Sequence, residues 1–307
     1  MKLTGLHILL TYRCTFECDH CFVWGSPWQS GTLSLKQLRE ILRQAEAVGS
    51  LEWIYFEGGE PFLFYPVLLE AVREASAAGF RVGIVTNGYW ATSFEDALGW
   101  LRPFAGLVSS LSVSSDLYHY DEVISLQMKN ATQAAERLGL PIEMISIAQP
   151  EAPQQSCSAG QPTAAAEAAE KSESGIMYRG RAAENLAMRA AWRSWTEFGE
   201  CPCEDLCEPG RIHLDPFGYL HVCQGISIGN LFHRPLKEIC ADYRPNEHPI
   251  IGPLLNGGPV ELVKRYSLPH FDEYADACHL CYTARFALRE RFPETLVPDQ
   301  MYGTSKF

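Results

Sequence analysis

The stretch RCTFECDHCF, residues 13–22, places three cysteines, Cys14, Cys18 and Cys21, within ten residues. Two thiols would suggest a disulfide or redox pair, and four a closed metal site. A structural zinc takes four protein ligands in a tetrahedron. Three thiolates on one loop leave such a metal incompletely held unless another residue, such as His20, joins them. In a cubane iron–sulfur cluster three thiolates hold three irons, and the fourth iron stays open to a small molecule. The spacing favours chemistry over structural support.

Around this loop the chain alternates strand and helix signals. Residues 6–10 form an apolar run, the expected first strand. Ser34-Leu35-Lys36-Gln37 is a capping box that opens a helix with Leu35, Leu38, Leu42 and Ala45 on one face, closed by Gly49. Further strands are expected at 53–56, 80–85, 107–113 and 142–147, with a sixth at 176–178. Helices are expected from Pro66 to Gly79, over 94–101, up to Leu138-Gly139, and after the sixth strand through Trp195. Strands separated by helices pair in parallel through right-handed crossovers. The expected fold class is α/β, a partial (β/α)6 barrel followed by a small α+β domain with a β-hairpin.

Residues 148–175 break the rhythm, being rich in Ala, Gln, Glu, Ser and Pro, with 163–171 suited to a helix. After Gly199 Cys, Pro and Gly rise. Residues 211–214, the turn Asp215-Pro216-Phe217-Gly218 and residues 219–222 read as a hairpin. Helices are expected at 235–243 and 284–291. The expected organisation is a core at 1–197, a second domain at 198–292 and a tail at 293–307.

The 307 residues suffice to bury a core without disulfides. A net charge of −12 repels phosphate backbones, which argues against nucleic acid as a partner. No apolar run approaches the ~20 residues that span a bilayer, and the N-terminus lacks the pattern of a signal peptide. The expectation is a cytoplasmic protein without membrane association. In a reducing compartment clustered thiols read as metal ligands or catalytic groups. The eleven cysteines form an early group and a late one, Cys201, Cys203, Cys207, Cys223, Cys278 and Cys281, with Cys157 and Cys240 apart.

CxxxCxxC directly after a first strand is joined by three further motifs at strand ends. Glu57-Gly58-Gly59-Glu60-Pro61 follows the second strand, Thr86-Asn87-Gly88 the third, and Ser112-Val113-Ser114-Ser115-Asp116 the fourth. In this order they resemble the radical S-adenosylmethionine (SAM) superfamily, over roughly residues 5–195. The resemblance implies that Cys14, Cys18 and Cys21 hold a SAM-binding 4Fe–4S cluster, with His20 at the aromatic position before the last cysteine. It implies that Gly58, Gly59, Glu60 and Pro61 meet the amino group of the SAM methionine, Asn87 the nucleoside and Ser114 the methionine carboxylate. Glycines allow close backbone approach, and carbonyl and carboxylate oxygens suit an ammonium. Ligands bind at the C-terminal ends of parallel strands in such folds. The implied activity is one-electron cleavage of SAM to methionine and a 5′-deoxyadenosyl radical, which abstracts a substrate hydrogen. A flavodoxin or ferredoxin is the implied electron donor.

The late group resembles the auxiliary-cluster domain called twitch, a shorter relative of SPASM. Cys207, ten residues, Gly218, four residues and Cys223 precede Cys278-His279-Leu280-Cys281. Tyr178-Arg179-Gly180-Arg181-Ala182 contains the Gly-Arg-Ala that commonly precedes such domains. The resemblance implies one auxiliary 4Fe–4S cluster on Cys207, Cys223, Cys278 and Cys281, since nothing after Cys281 supplies a second set. Cys203, fourteen residues before Gly218, is an alternate ligand. Cys207 is preferred because Cys207-Glu208-Pro209-Gly210 matches the family's entry into the hairpin. A zinc site made of four cysteines is the competing reading.

Cys157 is either an exposed thiol or a hydrogen-atom donor to a substrate radical. Asp116, His119 and Asp121 bind or deprotonate substrate, or belong to a solvated loop. Trp24 and Trp28 wall the SAM pocket or pack in the core, and Cys240 reads as a buried apolar thiol. Three functions are carried forward: modification of a peptide or protein side chain, as in maturases of ribosomal peptides; dehydrogenation of an aminocyclitol-type small molecule; and non-catalytic electron transfer, against which the SAM motifs argue. The first strand begins within ten residues of Met1, so no leader-binding domain is expected before the barrel.

Overall fold

The computed structural model describes residues 1–152 and 174–304. The chain folds as a mixed α/β protein on a mainly parallel sheet, a partial barrel. The strands of the first half are β1 Gly5–Thr11, β2 Trp53–Gly58, β3 Arg81–Thr86, β4 Ser110–Ser114 and β5 Ile142–Ile145. Helices α1 Leu35–Val48, α2 Tyr65–Ala77, α3 Phe94–Leu101 and α4 Leu126–Leu138 make the crossovers between them. Each pair of neighbouring strands is parallel.

Local chemistry explains the helices. Ser34 and Gln37 close the capping box on α1, and Gly49 ends it at φ 77°. Ser93 and Ser125 cap α3 and α4 through their side-chain oxygens. Alternation explains the strands. Leu6, Ile8, Ile54, Phe56, Val82, Ile84, Leu111 and Val113 share one core with the apolar faces of α1 and α2. The intervening positions are polar or small: His7, Tyr55, Glu57, Gly83, Ser110 and Ser112. A side chain at Gly83 would strike the Tyr55 ring, 2.1 Å from an added Cβ.

After residue 174 come α5 Arg181–Asn185, β6 Arg193–Ser194, β7 Arg211–Leu214, β8 Tyr219–Cys223, β9 Ile226–Asn230, α6 Leu236–Ala241, α7 Ile251–Leu255, α8 Gly258–Tyr266, β10 Glu273–Tyr274 and α9 Ala277–Leu288. The hairpin β7–β8 continues antiparallel into β9. Strand β7 also pairs in parallel with β1, so one eight-stranded sheet runs β5-β4-β3-β2-β1-β7-β8-β9.

Several expectations need correction. No strand forms at 176–178; an isolated parallel bridge between Ile147 and Ser174 stands beside β5 instead. The helix expected through Trp195 is only α5, and β6 pairs with β10. The last helix starts at Ala277 rather than 284, which puts Cys278 and Cys281 in its first turns. Helices α7 and α8 were not expected. The expected helix at 163–171 and Cys157 lie outside the described residues. No described helix is long and apolar enough to cross a membrane.

Candidate metal and cofactor sites

Strand β1 delivers the cysteine loop, and the glycine loop after β2 is stitched to it. Gly59 N donates to Thr11 O and Glu60 N to Arg13 O, each at 2.7 Å. An added Cβ would lie 2.4 Å from Thr11 O at Gly58 and 2.1 Å from Arg13 O at Gly59. Both positions therefore require glycine if the loops are to touch. Gly25 closes the circuit: its Cβ position is 3.4 Å from Gly59 Cα, 3.5 Å from Cys14 Cβ and 3.6 Å from Cys21 Sγ.

Burial pushes the Cys14 thiol up to about 12, and Cys18 rises further for the same reason. Nitrogen donors already address the sulfurs. Gly25 N–H reaches Cys21 Sγ at 3.2 Å, Phe16 N–H reaches Cys14 Sγ at 3.4 Å, and Asn87 Nδ2 reaches the same sulfur at 3.5 Å. Thiols on one loop that are hard to ionise alone, two of them already addressed by N–H donors, fit a metal centre, because a bound metal deprotonates them outright.

Glu60 is held by three donors from the protein. Its carboxylate accepts from Phe62 N at 2.9 Å, Thr86 Oγ1 at 2.8 Å and Asn87 N at 2.7 Å, and it is fully buried. Burial pushes its pKa up to about 7 against these three donors. It ties the glycine loop to the end of β3. Asn87 also donates to Thr15 Oγ1 at 3.0 Å, so the third strand end meets the cysteine loop directly.

Ser114 ends β4, in register with Ile145. Asp116 beyond it is buried and occupied by its own turn. It accepts from Tyr118 N at 3.0 Å, from Ile147 N at 3.3 Å and faces His119 Nδ1 at 2.8 Å. Burial alone would raise its pKa, but the His119 hydrogen bond and charge hold it below the usual value. His20 packs on Tyr118 and His119, and its Nδ1 is buried with no hydrogen-bond partner among the described residues. One ligand atom from each of His20, Asp116 and His119 lies within 4.8 Å of the others. Asp121 is exposed, as is Trp28 at 68%. Trp24 donates from Nε1 to Tyr282 of α9 at 3.2 Å, joining the early loop to the late helix.

On the polar side of the sheet Glu57 bridges two imidazoles, His7 Nδ1 at 3.0 Å and His213 Nδ1 at 2.8 Å. Burial would raise its pKa, yet the two histidines hold it well below the carboxylate range. The sequence reading named Glu57 only as part of its motif and overlooked both histidines, since the pairing of β1 with β7 is what unites them.

The late cysteines gather around one cavity. Cys201, Cys203, Cys223, Cys278 and Cys281 line it. Cys207 does not: it is exposed, beyond the turn where its backbone N–H meets Asp205. The hairpin therefore does not bring Cys207 to Cys223, and Cys201 takes its place in the group. Cys203 Sγ lies 3.7 Å from Cys278 Sγ. Burial pushes Cys281 up to about 12 and raises Cys278 and Cys201. Cys240 is buried in α6, as expected for an apolar thiol.

Arg179-Gly180-Arg181 stands between the two cysteine groups. Arg181 donates to Cys18 O at 2.7 Å and Gly25 O at 3.0 Å, and its backbone N–H to Cys21 O at 2.9 Å. Arg179 lies over the Phe22 ring and donates to Cys223 Sγ at 2.9 Å. The sequence reading quoted both arginines and assigned them no role.

Residues 8–133 match the family model of the Radical SAM superfamily. Over 131 residues the chain is 28% identical to the putative peptide biosynthesis protein YydG of Bacillus subtilis, covering 42% of this chain and 41% of that protein. Over 84 residues it is 37% identical to the tungsten-containing aldehyde ferredoxin oxidoreductase cofactor-modifying protein of Pyrococcus furiosus, covering 27% of this chain and 23% of that one. The chain thus spans about two fifths of the first relative and about a quarter of the second. The solved structure of native anSMEcpe with bound AdoMet and Cp18Cys peptide is 12% identical, covers 94% of this chain and 97% of its own, and superposes with a TM-score of 0.48.

Proposed function

We propose that residues 8–133, which match the Radical SAM superfamily model, are a radical SAM domain, and that the chain is a radical SAM enzyme modifying a peptide or protein side chain. Bound there, an iron–sulfur cluster and SAM would supply a 5′-deoxyadenosyl radical that takes a hydrogen atom from the substrate. The observation that carries the enzymatic reading is the interlocking of the early loop. Cys14, Cys18 and Cys21 share this loop, and the loop after β2 is held to the chain just before them by Gly59 N to Thr11 O and Glu60 N to Arg13 O, each at 2.7 Å, with Gly58 and Gly59 too close to that backbone for any side chain. Cys14, Cys18 and Cys21 would hold the first cluster. Gly58 and Gly59 would take the methionine amine, Pro61 would shape that turn, Asn87 and Ser114 would meet the rest of SAM, and the orphaned His20 Nδ1 would find its partner there. The similarity to a protein named for peptide biosynthesis favours the peptide substrate. A flavodoxin or ferredoxin would deliver the electron.

We assign an auxiliary 4Fe–4S cluster to Cys201, Cys223, Cys278 and Cys281, with Cys207 released from the set; the alternate ligand Cys203 is disulfide-bonded and is not available to it. The aminocyclitol-type dehydrogenase stays as the second reading. Anaerobically reconstituted protein should cleave SAM to 5′-deoxyadenosine with dithionite, and the C14A/C18A/C21A variant should not. Equal cleavage by that variant refutes the assignment. Mass spectrometry of candidate peptides and aminocyclitols, reading mass loss or deuterium incorporation, separates the two substrate classes.

A further inference from the structure

The wall of the late-cysteine cavity carries two guanidinium groups, Arg179 and Arg285, beside the thiols. Arg179 is 3% exposed and Arg285 1%. Arg179 Nη1 donates to Cys223 Sγ and its other end shares the buried Glu204 with Arg211. Arg285 Nη1 donates to Gln224 O at 2.8 Å, and its guanidinium lies near the Tyr282 and Tyr302 rings. Among the described residues no carboxylate reaches ion-pair distance of Arg285. The Nε–H of each arginine is buried and has no acceptor among the described residues.

An arginine keeps its proton under all protein conditions. A buried cation without a counter-charge is strongly unfavourable, and an orphaned buried N–H adds a desolvation cost of its own. Arg285 has no counter-charge among the described residues, and Arg179 shares the one Glu204 carboxylate with Arg211; with an orphaned Nε–H on each, the wall of this cavity points to an anion inside it. Neutral thiols do not provide that charge. A four-thiolate iron–sulfur centre does: it is a dianion when oxidised, gains one more negative charge when reduced, and has sulfur acceptors on its faces.

Resting on the auxiliary-cluster reading above, we propose that Arg179 and Arg285 are the charge and hydrogen-bond partners of that centre and raise its reduction potential. Buried positive charge and N–H donors to sulfur favour the more negative, reduced form. The centre would then take one electron from a low-potential carrier of the flavodoxin or ferredoxin class, with no bond made or broken. Arg179 and Arg285 are positioning residues here, acting through the metal centre.

The test uses the full-length C14A/C18A/C21A protein, in which only the late centre remains. Iron and labile sulfide are counted after anaerobic reconstitution, and the midpoint potential is followed by visible absorption and electron paramagnetic resonance. R179Q and R285Q should each shift the midpoint negative by at least the equivalent of a tenfold change in equilibrium constant, about 59 mV for one electron. R179K and R285K should stay nearer the parent value. Glutamine variants that bind no iron while the lysine variants bind it also support the charge role. Glutamine variants titrating at the parent potential overturn the proposal, as do lysine variants that lose iron along with them. A parent protein that binds zinc, or no iron, instead defeats the auxiliary-cluster reading itself and this proposal with it.

Discussion

Gly180 sits at φ 61° with its Cα against the cysteine loop, where an added Cβ would lie 2.6 Å from Phe22 Cα and 2.8 Å from Cys21 O. Both neighbours are backbone, so neither swings away. Gly49 offers the contrast: it too has positive φ, 77°, but nothing lies within 4 Å of its Cβ position. In urea unfolding, G49A should cost about 1 kcal/mol, the strain of a left-handed alanine. G180A adds overpacking to that strain and should cost roughly 3 kcal/mol or more. It should also lower the iron bound at the early loop, which G49A should leave unchanged. Equal costs for the two would mean that the loop yields easily and that Gly180 does not hold it. Glu60 teaches a related lesson at the same scale. Its motif implies a ligand contact, and its three donors from the protein show that it also organises two strand ends.

Helix α9 presents Cys278 and Cys281 from its first turns, and Asp276 caps it. The Asp276 carboxylate accepts from His279 N at 2.7 Å and from Tyr178 N at 3.3 Å, which also fixes the segment leading to Arg179. D276A should destabilise the protein by about 1–2 kcal/mol, the worth of an N-cap, and reduce iron at the late site. D276N keeps the acceptor and should retain both, as read by urea midpoints and metal analysis. Loss of iron in D276N as large as in D276A would show that the cap does not position the thiols. Elements of this kind also show what a sequence reveals. The strands of the first half were legible because their apolar alternation is local and their helices carry Ser34, Ser93 and Ser125 as caps. Helix α7, IGPLL, is short and holds Gly and Pro, so periodicity does not find it. Strand β6 spans two residues and exists through its pairing with β10. The early thiols are readable because one loop carries them, whereas Cys201 joins the late ones by tertiary packing and lacks the entry motif, Cys207-Glu208-Pro209-Gly210, that favours Cys207.

A change in composition near residue 197 suggests a boundary, yet the central sheet runs across it. Every residue of β1 is buried, and β1 is hydrogen-bonded on one side to β2 and on the other to β7. Three further bonds span the same divide: Tyr12 OH to Asp215 at 3.0 Å, Leu236 N to Gln44 Oε1 at 2.8 Å, and the Met1 amine to Cys240 O at 2.9 Å. Removing residues 198–307 would turn β1, with the apolar sequence GLHILLT, into an open edge. An apolar strand edge without charged or proline protection is a template for aggregation. Residues 1–197 expressed alone should therefore be insoluble, or soluble only as oligomers that bind hydrophobic dyes. The full chain should unfold in one cooperative step, with coincident far-ultraviolet and tryptophan signals. Size-exclusion chromatography decides the matter. A monomeric, folded 1–197 fragment that still takes up iron at Cys14, Cys18 and Cys21 would make the two halves separable. The β1–β7 seam would then be docking between independent units, and the arginines between the two cysteine groups would lose their place as a fixed link.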